Sequence, residues 1–457
     1  MLLRHLLALA MITSASAAQE TVPNPRAAGY RGIWATLGQM GEYGDKYSGG
    51  LGTYTANHVP MAVYDPAADT TFFVYGGSPA GERSLLCLVG SYNHRTGRVA
   101  RPVIVHDKSP FDDPHDNPSI SLDAAGHIWV FVSGRTTIRP GYVYRSAVPH
   151  DISRFERIVE REITYPQPWH VPGRGFFHLI TRYTKGRELY WETSPDGRTW
   201  SDPKKLAGMG GHYQVSGERD GKVATFFNYH PDGDVDRRTN LYYAQTTDAG
   251  ATWTTADGQP LALPLTEPRN PALVVDYEVQ GRLLYTCDLN FDAAGNPVLL
   301  YVLSRDYRAG PAGGAREWTI AHWRDGRWQF STVTTSDHNY DMGSLYVLND
   351  QWLVIAPTEP GPQRWGTGGE MVLWSSRDEG RTWRRLRAIT HDSKFNHSYA
   401  RRPRNARDPF FAFWADGNPD KLSESRLYFT NSTGDRVWRL PYTFPEGAES
   451  AEPELVK

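Results

Sequence analysis

The residues best suited to chemistry in this sequence are histidines, tyrosines and arginines in short polar clusters beside apolar runs. The motif DPHDNPSI carries His115, TYPQPWH carries Tyr165, and GGHYQVSG carries Tyr213. The candidate set consists of His58, His115, Asn117, Arg135, Tyr165, Arg182, Tyr183, His212, Tyr213, Tyr229, Arg237 and Arg238. Arginine binds a carboxylate through paired hydrogen bonds, and histidine and tyrosine exchange protons when neighbouring charges shift their pKa. The combination predicts a site for a carboxylate-bearing sugar.

Ordinary structural roles compete with this interpretation at each position. His115 could cap the start of a strand, and His58, beside an apolar run, could be a hydrogen-bonded core histidine. Arg182 ends a predicted strand, where it could pair with an acidic neighbour. The charged loop DGDVDRRTN could likewise satisfy Arg237 and Arg238 internally.

Two other kinds of site receive less support. A retaining or inverting glycosidase needs a close pair of carboxyl groups, and no Asp or Glu pair accompanies the candidate set consistently. No HxH or HxxxH spacing, typical of metal ligands, occurs near the set, so we predict no cofactor and leave a structural metal open. Trp34, Trp169 and Trp365 could stack on sugar rings.

An internal repeat predicts the elements that must position these residues. Seven apolar, aromatic-rich runs recur along the chain, and each is typical of the second strand of a repeating unit. These runs cover residues 70–77, 127–134, 175–183, 222–230, 296–304, 351–359 and 410–416. The starts of the preceding strands are placed near His58, His115, Tyr165, Tyr213, Asn270, Asp341 and Ser398.

The spacing of the repeat predicts the fold. Successive starts are 48 to 71 residues apart, close to the length of a four-stranded propeller blade. The longest interval contains RAGPAGGAREW, which predicts an inserted loop. We therefore predict an all-β, seven-bladed β-propeller with four-stranded antiparallel blades over residues 26–442. In such a fold the first strands line a central channel, and the candidate set would crowd one open face.

Three turn motifs support the same architecture. SPDGRTW, TDAGATW and SRDEGRTW each follow a predicted third strand, and in each an Asp and a Gly would shape a hairpin while a Trp packs between sheets. We interpret these residues as structural parts of blade rims, not as catalytic groups.

Composition limits the partners of the chain. Its 15 Trp and 25 Tyr favour strands, and its 43 Gly and 32 Pro punctuate turns. The formal net charge of -2 gives no global attraction to nucleic acid or to an anionic membrane, so a charged ligand must meet a local cluster. Cys87 and Cys287 lie in apolar runs, and we predict buried free thiols, although an exported protein could form a disulfide.

Both termini carry signals of their own. Arg4, the apolar run LLALAMI and the small residues near Ala18 predict a secretory signal over residues 1–18, with a run too short to span a bilayer. We expect a secreted or periplasmic protein without membrane insertion. The polar, acidic segment 443–457 is predicted to be a tail that lacks structure from Glu446 onward.

The motifs TTFFVYGG, DPHDNPSI, TYPQPW, TRYTKGRELYW and GGHYQVSG together resemble the secreted bacterial BNR-4 repeat proteins, over residues 30–438. That family includes ulvan lyases, lyases that cut the rhamnose–glucuronate linkage, and an exo-α-L-rhamnosidase on the same seven-bladed scaffold. Because one scaffold carries several chemistries, the resemblance implies the fold more directly than the reaction.

For a lyase, the resemblance implies a histidine and a tyrosine as base and acid, with an arginine that neutralises the uronate. The matching positions are His115 and Tyr165, with Arg182 as the neutralising residue and Arg237 assisting. Some of these lyases have a histidine where this sequence has Arg135. For the rhamnosidase, the resemblance implies a single histidine on the opposite face, which His58 matches best.

The favoured hypothesis is β-elimination on a uronate-containing glycan of the rhamnose–glucuronate type. The catalytic candidates are His115, Tyr165, Arg182 and His58, and the other members of the set would bind substrate. One alternative is hydrolysis of a terminal α-L-rhamnose linked to glucuronate, and another is a lectin-like propeller without catalysis. The expected partner is an acidic polysaccharide or oligosaccharide, bound by a monomer that does not recognise nucleic acid.

Overall fold

The sheets of the protein form seven blades around a central channel. The computed structural model describes residues 24–36, 38–46 and 52–457. Within each blade the strands pair antiparallel in chain order, and the first strands of most neighbouring blades contact one another around the axis. The predicted all-β, seven-bladed propeller with four-stranded blades is confirmed.

The strands of the first four blades follow the repeat closely. Blade one contains Ala62–Asp65, Thr70–Gly77, Leu86–Asn93, Arg98–Ala100 and Val103–Asp107. Blade two contains Pro118–Leu122, Ile128–Val132, Gly141–Ser146 and Phe155–Arg161. Blade three contains Thr164–Val171, Gly175–Tyr183, Arg187–Ser194 and Lys204–Ala207. Blade four contains Gln214–Arg219, Lys222–Tyr229, Thr239–Thr246 and Leu273–Val275.

The remaining blades have the same order. Blade five contains Leu283–Phe291, Pro297–Ser304, Arg316–Arg324 and Arg327–Ser336. Blade six contains Ser344–Val347, Trp352–Glu359, Glu370–Ser376 and Arg384–Ala388. Blade seven contains Asn396–Arg401, Ala412–Gly417, Leu427–Thr430 and Val437–Arg439. A small hairpin, Met40–Gly41 and Gly44–Asp45, precedes the blades, and three short 3-10 turns are Pro114–Asp116, Pro231–Gly233 and Pro311–Gly313.

The second strands are apolar on both faces because each blade packs between two others. All eight residues of Thr70–Gly77 and of Pro297–Ser304 are buried. A sheet covered on both faces selects a continuous apolar run instead of alternation. For this reason all seven predicted second strands are found in the structure.

The start of blade five differs from the prediction. Asn270 precedes Leu273–Val275, which pairs with the third strand of blade four, and the first strand of blade five begins at Leu283. The outer strand of one blade and the inner strand of the next are both short apolar runs, so periodicity does not distinguish them. The other six predicted starts lie within four residues of the observed strands.

The C-terminal segment, predicted to lack structure, is ordered by pairing with two blades. Ser450–Ala451 pairs with the strand Arg98–Ala100 of blade one, and Glu454–Leu455 pairs with Val437–Arg439 of blade seven. Its polar composition suits an outer edge strand, which faces solvent on one side, and this is why composition alone indicated disorder. The segment thus joins the first and last blades from outside.

The three turn motifs have the predicted structural role. The carboxylate of Asp196 accepts hydrogen bonds from the backbone N–H groups of Arg198 and Thr199, and Asp248 and Asp378 act in the same way. Gly197 has a φ of +73°, and a Cβ there would lie 2.4 Å from the Trp129 ring. The Asp and Gly residues therefore shape the turns and are not free for chemistry.

Other predictions concern the cysteines and the N-terminus. Cys87 and Cys287 are buried free thiols, as predicted. The predicted signal segment lies outside the described residues. In the part of the chain that the structure describes, no helix has the length and apolarity needed to cross a membrane.

Candidate active site

A pocket of about 200 Å³ opens at one mouth of the central channel. Loops and strand ends from all seven blades contribute to its wall. The side chains that define its chemistry are Tyr54, His115, Arg135, Tyr165, Arg187, Tyr213, Arg238, Tyr285, Asn339, Tyr340, Asp341 and Tyr399. Five of the twelve candidate residues are therefore brought together here, namely His115, Arg135, Tyr165, Tyr213 and Arg238.

Three guanidinium groups make the pocket electropositive. The Nε atoms of Arg135 and Arg187 are buried and have no hydrogen-bond partner among the described residues. Arg238 stacks within 4.7 to 5.2 Å of the ring centroids of Tyr213, Tyr285 and Tyr340. Asp341 is the one carboxylate among the described lining residues, and burial raises its pKa to about 6. Buried donors without partners indicate that the pocket is built for an anion.

His115 is held in a chain of hydrogen bonds that ends in the pocket. Its Nδ1 lies 2.5 Å from Oδ1 of Asp113, and its Nε2 lies 3.0 Å from the Tyr54 hydroxyl. Arg139 donates to the second oxygen of Asp113 at 2.7 Å. With the Nδ1 proton donated to Asp113, Nε2 carries the lone pair and accepts from Tyr54.

The ionisation states of this chain suit a general base. Burial opposes ionisation of Asp113, but His115, Arg135 and Arg139 outweigh it and hold the pKa of that carboxyl well below its usual range. Burial lowers the pKa of His115 below 6.5, and Asp113 offsets only part of this shift. His115 is therefore neutral at pH 7 and can accept a proton.

Tyr165 enters the pocket from an irregular strand. It lies at a break in register between Thr164 and Gln167, and its φ is +53°. Bulges re-aim side chains, and a non-glycine residue in the left-handed region is uncommon and costs about 1 kcal/mol or more. Burial raises the pKa of Tyr165 well above 10, so its hydroxyl stays protonated.

Tyr213 has the opposite electrostatic environment. Burial alone would raise the pKa of its hydroxyl, but the guanidinium groups of Arg187, Arg238 and Arg135 outweigh it and lower that pKa below 10. Its ring meets that of Tyr165 edge-on, with centroids 5.7 Å apart. The two tyrosines therefore differ in their readiness to lose a proton.

The structure does not bring Arg182 to the pocket. Its guanidinium donates to Glu162 at 2.8 and 3.0 Å, the ordinary structural role considered above. Arg187, not singled out from the sequence, lines the pocket instead. Successive residues of a strand point to opposite faces, so Arg182 and Tyr183 cannot face the same way, and Arg187 pairs with Tyr183 across the hairpin.

His58 is a buried structural histidine. It is 0% exposed, its Nδ1 accepts from the N–H of Thr55, and its Nε2 donates to the carbonyl of His115. Burial and the nearby Arg401 lower its pKa to about 3. Both nitrogens are used to join the loop of Tyr54 to His115, which leaves none for substrate.

His58 also borders a second, smaller pocket. This pocket has a volume of about 50 Å³ and includes Trp169, Asp288 and Arg401. It offers about a quarter of the space of the central pocket, so the opposite-face hydrolysis hypothesis has less geometric support.

The other candidate residues lie around the pocket without lining it. Asn117 donates to the carbonyl of Tyr54 at 2.7 Å, and His212 lies between the carbonyl of Asn228 and the N–H of Met209. Arg237 is 49% exposed and pairs with Asp232 and Glu278. Tyr229 is half-buried, with its ring 6.4 Å from that of His212. The ring centroid of Tyr183 lies 5.7 Å from the guanidinium of Arg187, which lines the pocket.

Two of the three tryptophans proposed for stacking are buried. Trp34 donates to the carbonyl of Asn418, and Trp169 donates to Ser216. Trp365 is half-buried and meets Tyr43 edge-on at 4.8 Å. Among the residues that the structure describes, no group of three His, Cys, Asp or Glu side chains is placed to hold a metal ion.

Sequence reasoning missed Tyr54, Arg187, Tyr285 and Tyr399. Tyr54 lies in a loop before the first blade, where no strand register predicts its direction. A signal for Arg187 was available, because the short turn TKG after Tyr183 places it directly across the hairpin. Tyr399, like Tyr165, lies at a register break with a positive φ of 55°, which no sequence pattern reveals.

Comparison with solved structures finds the same fold. A polysaccharide lyase of family PL25, an ulvan lyase solved with -[GlcA(1-4)Rha3S]- bound, superposes with a TM-score of 0.69 and 16% identity over 89% of this chain and 96% of that one. The polysaccharide lyase Uly1 gives a TM-score of 0.59 and 13% identity over 90% of this chain and 99% of that one. No curated protein matches the sequence. At such identities the likeness establishes the architecture alone.

The family assignment is based on the sequence itself. The sequence model described as BNR_4, BNR repeat-containing family member, matches residues 87–336. That range is more than half of the chain and includes blades two to five, which supply His115, Arg135, Tyr165, Arg187 and Tyr213. The chain therefore belongs to the BNR repeat-containing family.

Proposed function

We propose that this protein is a polysaccharide lyase that cleaves a uronate-containing glycan by β-elimination. The observation that carries the proposal is the convergence of Arg135, Arg187 and Arg238 on one pocket with His115 and Tyr165. A retaining or inverting glycosidase of the usual kind would instead use two carboxyl groups at its catalytic centre. Among the described lining residues only Asp341 supplies one.

Neutralisation of the substrate carboxylate is the first requirement of the reaction. The ring proton next to a uronate carboxylate becomes acidic only when positive charge stabilises the carbanion that forms. Arg187 makes no ion pair with any described carboxylate, and Arg135 lies 3.8 Å from Asp113 at its nearest. Both guanidinium groups are therefore available for a substrate carboxylate.

The base in this proposal is His115, with Tyr54 as a relay. The Tyr54 hydroxyl oxygen takes the C5 proton of the uronate while its own proton moves to Nε2 of His115, 3.0 Å away. Asp113, hydrogen-bonded to Nδ1, stabilises the imidazolium that results. This arrangement moves the proton without placing a charge on the buried phenol.

The acid is Tyr165, which burial keeps protonated. As the C4–O4 bond breaks, Tyr165 donates its hydroxyl proton to the leaving oxygen, and the electron pair of the C5–H bond forms the C4=C5 double bond. The products are a new reducing-end fragment and a fragment with an unsaturated uronate. Exchange with solvent then returns a proton from His115 to Tyr165.

Substrate identity and context form the finer part of the proposal. The ulvan lyase that shares the fold was solved with a glucuronate–rhamnose 3-sulfate repeat, which supports a rhamnose–glucuronate type of glycan for this chain. We propose a secreted or periplasmic monomer. The runner-up is release of terminal α-L-rhamnose, for which the buried His58 offers no accessible nitrogen.

One experiment decides between these reactions. The protein is incubated with a panel of rhamnose- and glucuronate-containing glycans while the ultraviolet absorbance of the conjugated double bond is followed. Released sugars are separated afterwards. A rising absorbance with new oligosaccharides is the expected result. Free rhamnose without that rise would establish hydrolysis, and binding without fragments would establish a lectin.

A further inference from the structure

A groove lies beside the central pocket on the same face of the propeller. It has a volume of about 480 Å³ and runs between the hairpin of residues 38–46 and the inserted loop 305–315 of blade five. Tyr43 and Tyr307 line it, and Met40 at its rim is 57% exposed. Gln39 lines both the groove and the central pocket, so the two spaces adjoin at this residue.

The inserted loop is held in one conformation by a buried arginine. Arg316 is 1% exposed, and its guanidinium donates to the carbonyls of Arg308, Gly310 and Gly314 at 2.6 to 2.9 Å. Asn339, which lines the central pocket, donates to the carbonyl of Asp306 at 3.0 Å. These bonds fix the loop that carries Tyr307 relative to the pocket.

The hairpin is anchored to the same loop. Tyr43 packs against Gly310, where an added Cβ would lie 2.2 Å from the tyrosine ring and where φ is +106°. Lys46 forms an ion pair with Asp236 and lies 4.3 Å from the Tyr307 ring centroid. Both walls of the groove are thus fixed before any ligand arrives, which lowers the entropic cost of binding.

From this geometry we infer that the groove is a second sugar-binding subsite, occupied by pyranose residues of the same glycan whose uronate lies in the central pocket. The occupant follows from the position of the groove, which shares Gln39 with the central pocket, and from the chemistry of the walls. Tyrosine rings present apolar faces to sugar C–H groups and a hydroxyl to sugar oxygens. The cations Lys46 and Arg308 are already paired with Asp236 and Asp306, and the exposed Glu42 also lines the groove. Recognition here therefore depends on contact with the tyrosine rings more than on positive charge.

This inference rests on the proposed function for the identity of the glycan and predicts a preference for long substrates. A fragment that fills only the central pocket would not reach Tyr43 or Tyr307. A polymer would contact both tyrosines and gain affinity from each. The enzyme should therefore cleave within chains more efficiently than it cleaves the shortest fragments.

The test compares Tyr43→Ala and Tyr307→Ala with the wild-type protein on polymeric substrate and on the shortest fragment that is cleaved. Loss of one aromatic contact should lower kcat/KM on the polymer about three- to tenfold, mainly through KM. Values on the shortest fragment should stay within about twofold of the wild type. Tyr307→Phe, which keeps the aromatic ring, should retain most of the wild-type activity on the polymer.

A matched control is Phe330→Ala, which removes a 47% exposed ring from the outer strand of the same blade and should change neither substrate. Equal losses on both substrates, or no loss on the polymer, would overturn the subsite. Affinity electrophoresis, in which polysaccharide immobilised in the gel retards a protein that binds it, adds a readout that needs no cleavage. If the protein binds without cleaving, the lyase proposal fails, and the mobility difference between the wild type and Tyr43→Ala still decides the subsite.

Discussion

Arg182 and Arg187 flank one hairpin of blade three, yet their side chains have different environments. The guanidinium of Arg182 is paired with Glu162 at 2.8 Å. Arg187 lines the pocket, and its Nε has no hydrogen-bond partner among the described residues. Burying the Nε–H group of Arg187 without a hydrogen-bond acceptor costs free energy. This indicates that the substrate supplies the missing acceptor.

Replacing Arg187 with Ala should lower kcat/KM on a uronate glycan by at least about 100-fold, because the carbanion loses a stabilising charge. Steady-state absorbance assays measure the loss, and circular dichroism checks the fold. Arg182→Ala is the matched control from the same hairpin, and it should retain activity within about threefold and lose no more than about 1 kcal/mol of stability. The reverse ranking of the two variants would return the neutralising role to Arg182.

The lowered pKa of His115 sets the acid limb of activity. A base works in its unprotonated form, and burial lowers its pKa below 6.5, so kcat/KM should be constant above that pH and fall about tenfold per pH unit below the shifted pKa. Burial raises the pKa of Asp341 to about 6, so this group also changes charge below pH 7. Asp113→Asn distinguishes the two, because loss of that carboxylate should move the limb to lower pH if His115 is the base. A limb that does not move would assign it to another group.

At the scale of elements, two irregular first strands place aromatic side chains in the pocket. Tyr165 in blade three and Tyr399 in blade seven both combine a register break with a positive φ. Tyr399 meets the Tyr54 ring edge-on with centroids 5.0 Å apart. In a regular strand these side chains would point to one face of the sheet or the other. The bulges turn them toward the pocket, as the proposed chemistry requires.

The C-terminal segment is the second element with a testable role. A chain that ends at Pro445 loses the two short strands and the Arg439–Glu454 ion pair of 2.6 Å. With a few backbone hydrogen bonds lost, the free energy of unfolding should fall by about 2 to 4 kcal/mol, measured by urea denaturation with tryptophan fluorescence. Activity at low temperature should persist because the segment lies on the outer edges of blades one and seven. Glu452→Ala, a 79% exposed site, is the control that should change little, and an unchanged midpoint for the truncated chain would refute the closure role.

For the whole molecule, the balance of charge is nearly neutral, and the positive potential is local. The formal net charge is -2, while three arginines and one carboxylate with a raised pKa line the pocket among the residues that the structure describes. Attraction of an acidic glycan therefore comes from the charges in the pocket and at its mouth. At the mouth these charges act over about one Debye length, which shortens as the salt concentration rises.

The KM for an acidic glycan should rise several-fold between about 0.05 and 0.5 M NaCl, with a smaller change in kcat, because the Debye length shortens over this range. Initial rates at each salt concentration measure the slope. Arg135→Ala should flatten the slope, whereas Arg237→Ala, a surface residue paired with Asp232 and Glu278, should leave it unchanged. A KM independent of salt would show that recognition is not electrostatic.

The sequence by itself determined the architecture, because the signals for it are local. Each blade packs on both faces, which selects a continuous apolar run for every second strand, and the turn motifs around Asp196, Asp248 and Asp378 fix hairpins within a few residues. The polar clusters before strand starts identified His115, Tyr165 and Tyr213, since a propeller collects such positions at one mouth of its channel.

Only the tertiary structure decided which side chains face the pocket. Successive residues of a strand point to opposite faces, so Arg182 pairs with Glu162 while Arg187, across the hairpin from Tyr183, lines the pocket. The register breaks at Tyr165 and Tyr399 have no counterpart in the sequence pattern. The burial of His58 and the pairing of the C-terminal segment depend on residues distant in sequence, Arg401 and the outer strands of blades one and seven. Long-range packing leaves no local pattern in the chain, and for that reason these features became visible only in the folded ring.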